Sequence, residues 1–149
     1  MPSGYGISAE AEGYVSWSWV EEQLTAARSY WVCTTRADGR PHAMPVWGLW
    51  LDDLLLFSTD PSSLKARNFL ARPDVVVHLE SCDDVVVLEG RVGRMDAALV
   101  DAFCDAYEVK YSHRPEPDNE AHGLYQLRPD RVLAWREADF PTSATRFRR

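Results

Sequence analysis

Two stretches of the chain, residues 75–80 (VVVHLE) and 85–92 (VVVLEGRV), are almost continuously β-branched or aliphatic, with only the polar SCDD between them. Residues of this kind fit a pleated surface, and each run has the length of a strand rather than a helix. A strand with one wet face alternates apolar and polar side chains. These two do not alternate, so both of their faces are expected to be covered.

The neighbouring segments extend that sheet. Residues 30–35 (YWVCTT) read as a strand, ADGR as a hairpin turn with Asp-Gly at its centre, and residues 42–51 (HAMPVWGLWL) as the partner strand. Pro45 cannot donate to a ladder, so one side of that partner is unpaired or bulged there. Asp52 and Asp53 turn the chain into LLLFS, a third strand. Residues 123–129 (GLYQLRP) and 131–135 (RVLAW) read as closing strands broken at Pro129.

Helices are expected in three places. Ser18, with Glu21 three positions on, has the capping-box spacing for a helix that ends near Ala27. A second helix runs from about Ser62 to Ala71 and is stopped by Pro73. The third, residues 96–111 (DAALVDAFCDAYEVKY), is amphipathic, with Ala98, Val100, Phe103 and Tyr107 on one side. Residues 1–14 read as a loose arm and residues 136–149 as a tail with little periodicity. Short antiparallel strands with helices between them make a mainly β fold with flanking helices, a small β-barrel in a single domain.

A hydrophobic content of 46% over 149 residues is enough for one buried core. The formal charge of −7 argues against nucleic acid or an anionic membrane as the main partner. No apolar run approaches the roughly 20 residues of a membrane span. The first residues lack the basic start and apolar stretch of a signal peptide. Cys33, Cys82 and Cys104 have no CxxC spacing and read as free thiols of a cytoplasmic protein. His42, His78, His113 and His122 are scattered, with no spacing of a metal site, so no metal is expected.

Against this acidic background the stretch STDPSSLKARN, residues 58–68, stands out. A strand enters it and a helix leaves it. Ser62 reads as the N-cap and Ser63 as the first helical residue, so unpaired amides, hydroxyls and the cations Lys65 and Arg67 meet at one corner. An oxyanion such as phosphate is the ligand with that demand. Lys65 and Arg67 project about 200° apart on a regular helix, which suits an extended anionic ligand better than one compact phosphate. The alternative reading is two solvated surface charges.

At this point the sequence resembles a family. The order DGRPHAMPVWGLWLDDLLLFSTDPSSLKARNFLARPDVVVHLE, followed later by YQLRPDRVLAW and ATRF, is similar to the pyridoxamine 5'-phosphate oxidase-like split-barrel flavoproteins. It looks most like their small actinobacterial members that use the deazaflavin coenzyme F420. The resemblance implies a split β-barrel homodimer with the cofactor in a groove between subunits. Met44, Pro45, Val46 and Trp47 would line the flavin or deazaflavin ring, largely through backbone. Ser58 and Thr59 would meet the ribityl chain or phosphate arm. Ser63, Lys65 and Arg67 would hold the phosphate, while Trp135 and Arg146 would reach the cofactor from the partner subunit. The implied activity is F420H2-dependent reduction of a small organic acceptor. FMN-dependent oxidoreduction and cofactor binding without turnover are the alternatives. No catalytic residue is singled out, since hydride chemistry belongs to the cofactor.

The chain also departs from the family. The true oxidases have Ser-Arg-Lys where this chain has Ser63, Leu64 and Lys65. Their substrate-binding Arg and His give way to Ser143, Ala144 and Thr145. The chain is also shorter than those oxidases, so oxidation of pyridoxine phosphate is not expected.

Overall fold

Eight strands form one antiparallel sheet, and the computed structural model describes residues 14–148 of it and its helices. The expected N-terminal arm, apart from Tyr14, lies outside the described residues. Helix α1 (Trp17–Ala26) comes first, capped by Ser16, whose hydroxyl accepts from the Trp19 amide. The cap is thus two residues earlier than the expected Ser18. Strands β1 (Tyr30–Thr35) and β2 (Pro41–Val46) make a hairpin whose turn depends on Gly39 at φ +87°. Strands β3 (Gly48–Leu51) and β4 (Leu54–Thr59) make another, with Asp52 and Asp53 both at positive φ in the mirror-image turn that matches strand twist.

Helix α2 (Leu64–Ala71) follows, then β5 (Asp74–His78), β6 (Asp84–Arg94), α3 (Val100–Tyr111) and β7 (Gly123–Arg136). Pro129 does not break β7. A register shift between Glu89 and Gly90 on β6 absorbs it as a bulge, and the strand runs on. The tail is more ordered than its weak periodicity suggests: α4 (Phe140–Ser143) leads into β8 (Thr145–Arg148), which pairs with β7.

The sheet order is β2-β1-β5-β6-β7-β4-β3, with β8 also on β7. Its terminal strands, β2 and β3, are separated in the chain by Trp47 alone. The two ends of the sheet must therefore meet, which curls it into a split barrel. Inside lie Tyr30, Val32, Leu55, Phe57, Leu88 and Tyr125, with Val20 and Leu24 of α1 and Ala66 and Phe69 of α2. A second cluster sits outside the barrel wall, where α3 lays Phe103, Cys104, Tyr107 and Tyr111 on Leu49, Leu54 and Leu56.

Among the described residues the opposite outer surface carries no such layer. Cross-strand pairing lines up Pro45, Trp31, His78, Val87, Leu133 and Arg146 in one row across β2, β1, β5, β6, β7 and β8. The next row holds Ala43, Cys33, Val76, Glu89 and Arg131. Val76 is 37% exposed, and Val85 and Val87 are half-buried. Of the two faces expected to be covered on β5 and β6, the described residues fully cover only the inner.

Candidate functional site

Strand β2 is a sheet edge, and Ala43, Met44 and Pro45 are exposed on both of its faces. Met44 is 45% exposed. Register puts His42, Met44 and Val46 on the face of Thr34, Val32 and Tyr30, towards the barrel interior, and Pro45 on the outer face. A bare apolar edge is a liability unless something flat or another chain lies on it. The Trp47 indole points elsewhere: it stacks on Tyr111 with centroids 4.7 Å apart, under the Arg28 guanidinium.

The corner after β4 differs in detail from its sequence reading. Ser63, not Ser62, caps α2, its hydroxyl accepting from the Ala66 amide at 3.3 Å. The Ser62 amide is held by the Asp60 carboxylate at 2.7 Å. Hydrogen bonding from the Ser62 side chain, then from its amide, and last the nearby Lys65 charge hold the Asp60 carboxyl below its ordinary range. A resident carboxylate thus already sits beside the corner. Leu64 and Lys65, at the first helical positions, have no intrahelical acceptor for their amides. Lys65 is half-buried and Arg67 exposed, and neither forms an ion pair among the described residues.

Ser58 and Thr59 leave the strand on opposite faces. Thr59 continues the interior row of Leu55 and Phe57, and Ser58 the outer row of Leu54 and Leu56. Both border a cavity of about 180 Å³ with Asp60, Tyr107, His113 and His122. The fold brings His113 and His122 to 6.3 Å between ring centroids, though eight residues lie between them in the chain. Among the described residues no cluster of metal-ligating side chains forms.

Arg36, which the sequence did not place at this corner, and His42, at the start of the strand expected to line the ring, both reach it. Arg36 lies just past the end of β1, and its Nε is buried without a hydrogen-bond partner among the described residues. His42 lies in the field of both Arg36 and Lys65, and burial followed by those two charges holds its pKa below the ordinary imidazole value. No sequence pattern placed Arg36 here, because it lies past the end of β1 and meets the corner only once the chain has folded.

Trp135 and Arg146 sit at the far end of the outer face. The Trp135 indole N–H donates to Glu137 at 3.2 Å and the ring meets Phe140 edge-on. Arg146 is exposed opposite Leu133. From β2 to β8 the row crosses five strand spacings, on the order of 20 Å along the sheet. Along the sheet Trp135, on β7, is four strand spacings from β2 and Arg146 five, so pairing does not set either beside β2 in one chain. A trough of about 630 Å³ runs over the same face, lined by Cys33, Val76, Glu89, Arg131 and Arg148 among others. Ser143, where the oxidases have a substrate-binding segment, is buried and exchanges hydrogen bonds with the backbone of Arg136.

The model of the family described as pyridoxamine 5'-phosphate oxidase matches residues 18–136, from α1 to the end of β7. The chain belongs to the pyridoxamine 5'-phosphate oxidase family. Solved structures repeat the fold. An F420 reductase is 24% identical, with a TM-score of 0.62 over 81% of this chain and 96% of its own. General stress protein 26 from Bacillus anthracis str. Sterne is 21% identical, with a TM-score of 0.69 over 89% and 97%. A heme binding protein from Mycobacterium smegmatis is 18% identical, with a TM-score of 0.67 over 90% of this chain and 59% of its own. No curated protein matches the chain. The pyridoxamine 5'-phosphate oxidase family includes oxidoreductases that bind flavin-type cofactors, and no helix described here is long and apolar enough to cross a membrane.

Proposed function

We propose that the protein is a homodimeric oxidoreductase that binds coenzyme F420 and passes a hydride from its reduced form to a small organic acceptor. The observation that carries this reading is the edge strand β2. Its exposed Ala43-Met44-Pro45 run lies beside a corner where Arg36, Lys65 and Arg67 have no ion-pair partners among the described residues. A flat ring with an anionic tail satisfies both parts at once. The structural likeness to an F420 reductase supports the same choice.

The donor set fits such a group. Lys65, Arg67 and the orphaned Arg36 Nε would hold the tail, and the backbone of β2 would face the ring. When bound, the deazaflavin supplies hydride transfer. The chain's own work is to orient the ring on β2, neutralise the tail and keep water from its face. Trp135 and Arg146 would complete the groove from a second copy, and the half-covered outer face would be where the copies meet. FMN is the second reading. It is favoured by Asp60, a resident negative charge at the corner that feels the Lys65 charge and disfavours an anionic tail running on past one phosphate.

Fluorescence titration of the purified protein with F420 and with FMN tests the choice. Saturable F420 binding is expected, with Lys65→Ala and Arg67→Ala each weakening it by about 1.5–3 kcal/mol. FMN binding with no response to F420 would replace the cofactor. Unchanged affinity in both variants would move the tail elsewhere.

A further inference from the structure

Residues 112–122 join α3 to β7, and their own bonds tie them down. Arg114 is held by Asp105 at 2.7 Å and by Glu108 at 3.0 Å. Asn119 donates from its backbone to the Glu116 carbonyl and from its side chain to the Glu116 carboxylate. The Glu116 amide in turn donates to His122 Nδ1 at 3.0 Å. A ring that accepts at Nδ1 carries its proton on Nε2, so His122 offers a ligand a donor and no acceptor. Through His113, Pro115, Ala121 and His122 this segment lines the cavity of about 180 Å³ at the end of β4. Tyr107 enters the same cavity from α3. It is only 5% exposed, its ring packed on Phe103 and Tyr111, yet its hydroxyl has no hydrogen-bond partner among the described residues. Burial, and then Tyr111, pushes its pKa up to about 12, so the phenol keeps its proton. The side chains of Ser58, Thr59 and His113 are likewise without hydrogen-bond partners among the described residues.

We infer that this cavity binds a small, flat, uncharged molecule with a carbonyl oxygen beside an N–H, a carboxamide or cyclic amide. The site goes beyond the proposed cofactor groove and needs no cofactor in place. A phenol buried to this degree is nearly always bonded, so the Tyr107 hydroxyl calls for an acceptor. His122 Nε2 calls for another, and a carbonyl oxygen, with two lone pairs, can take both. The Asp60 carboxylate, on the same wall, only accepts and so calls for a donor. An anion brings no donor and meets the Asp60 charge. An ammonium brings nothing for His122 to bond. Among the described residues no three metal-ligating side chains converge, so a metal ion does not fit either. The walls decide between an amide and a polyol: the rings of Tyr107, His113 and His122, with Pro115, present flat faces that suit a planar group. The volume is the share of roughly six waters, room for one ring with an amide and too little for a flavin.

Benzamide, benzoate and benzylamine share one shape and differ in what they offer: both groups, an anionic acceptor, a cationic donor. Each is titrated at neutral pH into the full-length protein and followed by NMR of the histidine side chains. Benzamide is expected to shift His113 and His122 saturably, and to bind about tenfold more tightly than either of the others. Tyr107→Phe should weaken benzamide about fivefold, the loss of one neutral hydrogen bond. The same variant should keep the wild-type urea midpoint, because the hydroxyl it removes bonds to nothing within the described chain. Asp60→Asn should let benzoate bind about tenfold more tightly than it binds the wild type. The absence of a saturable benzamide shift would overturn the inference, as would a wild type that prefers benzoate or benzylamine. So would unchanged benzamide affinity in Tyr107→Phe, unchanged benzoate affinity in Asp60→Asn, or a loss of stability in Tyr107→Phe that assigns the hydroxyl to the fold. Inorganic phosphate that moves the same histidines at lower concentration than benzamide would give the cavity to an anionic arm of the cofactor, and the inference would fall while the proposed function stood.

Discussion

Gly90 shows how a single atom is decided by the fold. It sits at the register shift opposite Pro129, and a Cβ built there would strike the Arg128 carbonyl oxygen and lie 2.8 Å from Pro129 Cα. Both are backbone atoms of a paired strand and cannot move aside cheaply. Gly90→Ala should therefore cost about 3 kcal/mol, the upper end for overpacking. Gly93, three residues on, has nothing within 4 Å of its Cβ position, so Gly93→Ala should change stability by no more than about 0.5 kcal/mol. Urea unfolding of the two variants checks the contrast, and similar midpoints would remove Gly90 as a packing constraint. The sequence carries Gly90 and Pro129 but not their meeting. The helix caps were illegible for a related reason. Ser16 and Ser18 are equally good caps, as are Ser62 and Ser63. The choice falls to packing and to Asp60: Trp17 closes on Trp50 and Phe147, and Asp60 takes the Ser62 amide.

At the scale of elements, α1, β3 and α3 are tied together by phenols. Tyr30 donates to the Leu24 carbonyl at 2.5 Å, and the Tyr111 hydroxyl accepts from the Gly48 amide at 3.0 Å. Lys110 donates to the Gly48 carbonyl at 3.1 Å and lies 5.3 Å from the centroid of each of those rings. Burial raises the pKa of Tyr30, Tyr111 and Tyr125 above the ordinary 10.0, and pushes Tyr107 up to about 12. A phenol raised in the folded state contributes stability in full below its unfolded value, and loses it as pH climbs through the folded one. Burial lowers Lys110, which acts the other way just below 10.5, but one lysine faces four tyrosines. Stability should hold up to about pH 10 and fall steeply above it, with tyrosinate absorbance appearing together with unfolding. Early, reversible titration of these phenols in the folded protein would contradict the burial. Their sequence positions gave little warning, because a tyrosine on an amphipathic helix reads as core whatever its hydroxyl does. Strands declared themselves through β-branched runs. Strand β8 did not, since its four residues become a strand only by pairing with β7.

For the whole molecule the informative feature is a mismatch between sequence and single chain. Residues 75–80 and 85–92 are largely apolar on both faces, yet among the described residues of one copy no layer covers the outer row through Trp31, His78, Val87 and Leu133. A second copy of the chain is the layer the proposed function supplies. Val76→Asp should then leave the barrel folded, because Val76 is already 37% exposed, while sedimentation shifts from dimer to monomer. A wild-type protein that sediments as a monomer would refute the proposed assembly. The same geometry makes a sharper demand. Lys65 and Arg67 lie at the end of α2, whereas Arg146 lies on β8, at the opposite end of the outer row from β2. If each groove takes its tail cations from one copy and Arg146 from the other, a doubly changed Lys65→Ala, Arg67→Ala protein and an Arg146→Ala protein are each defective at every site. Mixed as unfolded chains and refolded together, they form heterodimers in which one groove carries all the changes and the other none. About one site in four should then bind cofactor with wild-type affinity, although neither parent does. Recovery of no such sites would mean that the two sets of residues never serve one ligand, and that the groove lies within a single chain.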